Sequence, residues 1–203
     1  ASCTGPAASP PQSPPPTDIR RPFYTAAMAL EIERRFLVCG QAWQAHVRWS
    51  AVLRQGYLVS GAAGLTLRVR SDGQDGAWLT LKFPAGGIAR QEFEYAIPPA
   101  DAQALLHQCP EALSKQRHGL DLPGGDWVLD VFEAGNAPLV IAEVELEHVD
   151  QPVAIPDWCV LEITGDGRFS NAALARHPFA SWSLTERLPC LAALGVTADG
   201  GAS

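Results

Sequence analysis

In the stretch ALEIERRFLV, residues 29–38, Glu31, Glu33 and Arg35 alternate with Leu30, Ile32, Arg34, Phe36 and Val38. Successive side chains of a strand point to opposite faces, so two acids and a base share one face here and the other face is mostly apolar. The division recurs downstream. Thr66, Arg68 and Arg70 oppose Leu65, Leu67 and Val69, and Thr80 and Lys82 oppose Leu79, Leu81 and Phe83. Arg90, Glu92 and Glu94 oppose Phe93, Tyr95 and Ile97; Lys115 and Arg117 share a face; Asp130 opposes Trp127, Leu129 and Val131. Glu143, Glu145 and Glu147 oppose Val140, Ala142, Val144 and Leu146.

A half-solvated antiparallel sheet explains any one of these strands. The set is different, because charge is sorted by strand. Glu31 and Glu33, and Glu143 to Glu147, are acidic clusters, whereas Arg68 with Arg70 and Lys115 with Arg117 are basic pairs. Solvated sheets interleave signs, since like charges side by side repel. Gathered carboxylates suit a hard divalent cation such as Mg²⁺, which takes oxygen ligands and keeps part of its water shell. Gathered Arg and Lys suit phosphate oxygens, Arg through a bidentate fork. Both together match a metal–polyphosphate complex.

The elements that must position these residues are short. Alternation and turn residues place strands near 30–38, 52–59, 64–71, 77–83, 89–97, 112–118, 126–133 and 139–147, with a short one at 160–164. PPADAQALLHQC reads as a helix with Asp101 as its cap, SNAALARH as a second capped by Ser170, and SWSLTERLPCL as a third. The fold class is α+β, mainly β. Eight strands can close on themselves, which would turn the charged face into a hydrated channel.

The chain has 203 residues, 47% of them hydrophobic, enough for one domain with a core. Its net charge of -7 argues against a nucleic-acid partner. No run approaches the roughly 18 apolar residues that span a bilayer. Cys3, Cys39, Cys109, Cys159 and Cys190 form no CxxC motif and read as reduced thiols of a cytoplasmic protein. Residues 1–27 hold seven prolines without apolar periodicity and read as a disordered segment. The domain is expected over 28–196, with a flexible tail at 197–203.

The residues that divide by face also carry a family resemblance. EIERRFLV resembles the ExExK signature of the CYTH superfamily, the triphosphate tunnel metalloenzymes, with Arg35 standing where that signature has Lys. RQGYL, LTLRVR, LTLK, ARQEFEYAIP, LSKQRH, VLDVFEAGNAPLVIAEVEL and LEITGDGRFSNAALA resemble that family's further blocks, in order. The resemblance runs from Met28 to about Pro178 and is nearest to the small bacterial branch that hydrolyses inorganic triphosphate. It implies an eight-stranded antiparallel closed β-barrel, a tunnel open at both ends with a few flanking helices, binding a triphosphate with Mg²⁺ or Mn²⁺. It implies metal binding at Glu31, Glu33, Glu143 and Glu145. It implies phosphate binding at Arg35, Arg68, Arg70, Lys82, Lys115 and Arg117, with Arg90 as a further member. It implies catalytic roles for Arg35, Glu94 and Glu145, with a second metal, or a carboxylate such as Glu94 or Glu145, orienting the attacking water. Glu92, Asp130, Glu147 and Glu162 share the orientation without an assigned role.

Arg35 keeps the charge of the family's Lys and improves bidentate contact with phosphate, but it stays protonated and so cannot transfer a proton. Three other readings are compatible with the same face. They are a tunnel for a nucleoside or thiamine triphosphate (including cyclisation of ATP), a polyphosphate-binding module without turnover, and a β domain whose charged face is simply wet. The protein is expected as a monomer or homodimer with a small-molecule triphosphate as its partner.

Overall fold

Alternating runs become strands because each buries one face, and the Gly-, Pro- and Asp-containing segments between them reverse the chain. The computed structural model describes residues 30–61, 64–84 and 90–194, and the side chains of these except at 30, 31 and 90. The expectations for residues 1–27, for the tail at 197–203 and for the side chains of Glu31 and Arg90 therefore lie outside the described residues.

The strands are β1 (Leu30–Val38), β2 (Val47–Ser60), β3 (Thr66–Ser71), β4 (Ala77–Pro84), β5 (Arg90–Ala96), β6 (Glu111–Leu120), β7 (Asp126–Phe132), β8 (Val140–Leu146) and β9 (Cys159–Glu162). The helices are α1 (Pro99–Gln108), α2 (Asn171–Arg176) and α3 (Leu184–Ala193). All nine strands join one sheet in the order β5-β4-β3-β2-β6-β7-β8-β1-β9. The expected eight strands are thus corrected to nine in one sheet. The short strand near 160 is part of the sheet, pairing with the C-terminal half of β1 from Phe36 to Val38. On that same edge the N-terminal end of β1 meets β5 through two residue pairs, Leu30 with Gln91 and Glu31 with Arg90. The opposite edge of β1 pairs with β8 over six.

Register makes the faces common to neighbouring strands, since directly paired residues point the same way. On the outer face Ile32, Phe36, Trp127, Leu129, Ala142, Val144 and Leu146 pack with Trp43 and Trp158. Over β3 and β4, α1 buries Ala102 against Val69 and Ala77. Gly56 permits this approach, because a Cβ there would stand 2.7 Å from Cys109 Sγ. The cap of α1 is Pro98, with no side-chain hydrogen bond, and Asp101 sits in its first turn, so Asp101 is not the expected cap. Ser170 does cap α2, its hydroxyl accepting from the Ala173 N–H.

The inner face is charged along part of its length and apolar at one end. Leu37, Ile141, Leu139, Phe132, Leu113 and Tyr57 at that end pack against Phe169, Leu174, Phe179 and Trp182 from the C-terminal segment. α3 starts there on a capping box, Ser183 accepting from the Glu186 N–H while the Glu186 carboxylate accepts from the Ser183 N–H. The implied opening at both ends is corrected: this end carries a helical cap.

Candidate active site

The charged part of the inner face is assembled by register. Glu33 lies opposite Glu145 and Arg35 opposite Glu143 across β1 and β8. Arg117 lies opposite Asp130 across β6 and β7, and Arg68 opposite Thr80, which lies opposite Glu94, across β3, β4 and β5.

One ion-pair network spans β6, β7, β8 and β1. The Asp130 carboxylate, fully buried, accepts from Arg117 Nε and Nη2, each at 2.7 Å, and from Lys115 Nζ. Arg117 Nη2 reaches Glu143 at 2.8 Å. Arg35 Nε donates to the other oxygen of Glu143 at 3.2 Å and lies 3.8 Å from Glu33. A second network spans β3, β4 and β5. Arg70 donates to Glu94 at 3.0 Å, Arg68 to Thr80 at 3.1 Å, Thr80 to Glu94 at 2.7 Å, and Lys82 pairs with Glu92 at 2.8 Å.

Burial and neighbours set the protonation of these groups. Burial pushes the Glu33 carboxyl up, and the nearby Glu143 charge adds to it. Burial would also raise Asp130 and Glu143, but the cations outweigh it. Arg117 and Lys115 hold Asp130 below the usual carboxylate range, and Arg117 leads in lowering Glu143. Burial, with Arg117 nearby, brings Lys115 down to about 8 against the pull of Asp130. Burial and the adjacent Arg68 bring Arg70 down to about 10. The Nε–H groups of Arg68 and Arg70 are buried without a hydrogen-bond partner. Paired guanidiniums with unspent donors are what an anionic ligand satisfies.

The carboxylates suit a hard cation. Among the described residues no group of three or more His, Cys, Asp or Glu gathers as a metal cage. Mg²⁺ typically takes only one or two carboxylates, filling its sphere with water and substrate phosphate. Glu33, whose carboxyl the charge of Glu143 helps to raise, and Glu143, with Glu145 opposite Glu33 in register, supply that kind of set. At the end of β8, Glu145 and Glu147 line, with Asp126 and Gln151, a cavity of about 440 Å³.

The structure thus brings Glu33, Arg35, Lys115, Arg117 and Glu143 together, and separately Arg68, Arg70, Lys82, Glu92 and Glu94. Glu162 does not join them. It pairs with Arg34 at 2.7 Å, on the opposite face of β1. His118 also faces outward, its Nδ1 against Ser50 Oγ and its ring 4.9 Å from Trp43. Three partners escaped the sequence reading. Thr80 alternated with Lys82 but carried no charge to mark it. Asn171 sat in a segment read only as a helix, and accepts from Lys115 Nζ at 3.0 Å. The third is the Phe169 carbonyl, which accepts from Arg35 Nη2 at 2.5 Å and which no residue type announces.

The chain is similar to known proteins in sequence and in fold. The family model described as "CYTH domain" matches residues 29–168. A protein named inorganic triphosphatase from Acetivibrio thermocellus is 35% identical over 157 residues, which cover 76% of this chain and 99% of that one. One of the same name from Nitrosomonas europaea is 36% identical over 149 residues, 71% and 96% of the two chains. A crystal structure titled as an inorganic triphosphatase superposes with a TM-score of 0.55 at 35% identity, covering 71% of this chain and 97% of that one. With the strand order, the sorted inner face and these matches in agreement, the chain belongs to the CYTH family.

Proposed function

We propose that the protein hydrolyses inorganic triphosphate to pyrophosphate and phosphate on the charged inner face, with Mg²⁺ or Mn²⁺ as cofactor. The observation that carries this is the sorted face itself: two carboxylates crowded together opposite buried guanidiniums with unspent donors. The names of the relatives support the substrate. The sheet closes into a tunnel at the contact of β1 with β5, and the tunnel domain is taken as 28–196.

One or two of the acids Glu31, Glu33, Glu143 and Glu145 would hold the cation, with water and substrate phosphate completing its shell, and once bound it would neutralise charge on the phosphate oxygens. Arg68, Arg70, Lys82 and Arg117 clamp the phosphate chain together with Arg35, and Arg90 is proposed as a further phosphate-binding residue. Their donors are preorganised and largely shielded from water, so they stabilise the departing oxygen electrostatically. Glu94 or Glu145 orients the attacking water. Arg35 neutralises charge at the capped end and takes no part in proton transfer, being permanently protonated.

The test is phosphate release from inorganic triphosphate, with and without Mg²⁺ or Mn²⁺, ATP serving as comparison. Metal-dependent release that falls at least about 10²-fold in Glu33→Ala is expected. Binding of triphosphate without release would reduce the protein to a polyphosphate-binding module.

A further inference from the structure

We propose that Asn171, outside the sheet at the start of α2, is a positioning residue of this site: it holds Lys115, and through Lys115 and Asp130 it sets the orientation of Arg117. The kinetic part of the inference rests on the triphosphatase reading; the rest does not.

Lys115 was expected to touch phosphate, yet its side chain is only 1% exposed. An ammonium has three donors and no acceptor. One donor of Lys115 goes to Asp130 Oδ2 and another to Asn171 Oδ1, while the Phe132 ring lies 5.3 Å from Nζ. Enclosed in this way, Lys115 acts through Asp130. Asp130 takes both forks of Arg117, and Arg117, with 18% of its side chain exposed, is the member that meets the tunnel.

Asn171 has no competing structural duty in its helix. Ser170 supplies the cap of α2, and Asn171 follows it at the first helical position. The same segment grips the other end of the network, since the Phe169 carbonyl accepts from Arg35. The charged groups around Lys115 are Asp130 on β7 and Glu143 on β8, which favour its charge, and Arg117 on its own strand, which opposes it. From α2 it receives only the neutral amide of Asn171.

The test exploits the composition: Lys82 and Lys115 are the only lysines in the chain, so ¹³C-lysine labelling gives two ε signals to titrate. In Asn171→Ala the Lys115 signal is expected to titrate about one pH unit lower than in the wild type, because an acceptor for the charged form is gone. In Asn171→Asp, which keeps the acceptor and adds charge, it moves higher. For inorganic triphosphate, kcat/KM falls about tenfold in Asn171→Ala, and Asn171→Ala with Lys115→Met is no slower than Lys115→Met alone. An unmoved Lys115 titration, or losses that multiply in the double variant, overturns the proposal. If the wild type releases no phosphate, the functional reading fails and the titration still decides this one.

Discussion

Asp130 shows what a single residue does here. It presents one fully buried carboxylate to two cations: Lys115, which pairs with no other carboxylate among the described contacts, and Arg117, which also reaches Glu143 at 2.8 Å. Removing one partner of such a group leaves uncompensated buried charge. Asp130→Asn is therefore expected to cost about 3–5 kcal/mol, read by urea unfolding at pH 7. The sign with pH follows from its depressed pKa. The folded state holds Asp130 ionised below the ordinary value of 3.8, so its contribution is complete above that value. It is lost as the pH falls through the folded value. The wild type should lose stability on acidification below about pH 4, and Asp130→Asn should lack that component. An acid limb of equal depth in both proteins would contradict the account.

At the scale of elements, the C-terminal segment is both lid and scaffold. Phe169 is buried, and its ring meets Trp182 at 5.2 Å while its carbonyl holds Arg35. Phe169→Ala should cost about 3–5 kcal/mol. Because it loosens the backbone that Arg35 leans on, it should also lower kcat/KM for triphosphate more than an equally destabilising change on the outer face, such as Trp158→Ala. Equal kinetic losses would mean that the cap contributes stability alone. This cap was only partly legible in the sequence. SNAALARH and SWSLTERLPCL announced helices, with Ser170 as one starting cap, but nothing in them said which end of the sheet they would cover. Asp101 was misread because an acid near the start of a helix suits a cap and a first turn equally, and only the path of the chain at Pro98 distinguishes them.

For the whole molecule, the contact of β1 with β5 matters most. It is two residue pairs long, against six between β1 and β8. Short ladders open more readily, so the backbone amides of Leu30 and Gln91 should exchange with deuterium faster than those of Ile32 to Leu37. Added triphosphate with Mg²⁺ should slow them if ligand bridges the two networks, one on each side of that contact. No protection on adding ligand would argue against a tunnel closed there. Sequence alone determined the division of each strand into an apolar and a charged face, because a period of two is a local property. It also determined the sorting of charge by strand, an arrangement that suits a metal with a polyphosphate. Its ordered blocks pointed to the family that the matches show. Only the tertiary structure decided that Glu162 turns outward to Arg34, that β9 shares an edge of β1, that one end is capped, and that Lys115 is enclosed between Asp130 and Asn171. These depend on pairings between residues distant in the chain. A residue's type and its neighbours in sequence say which way it points from its own strand, but not what stands opposite.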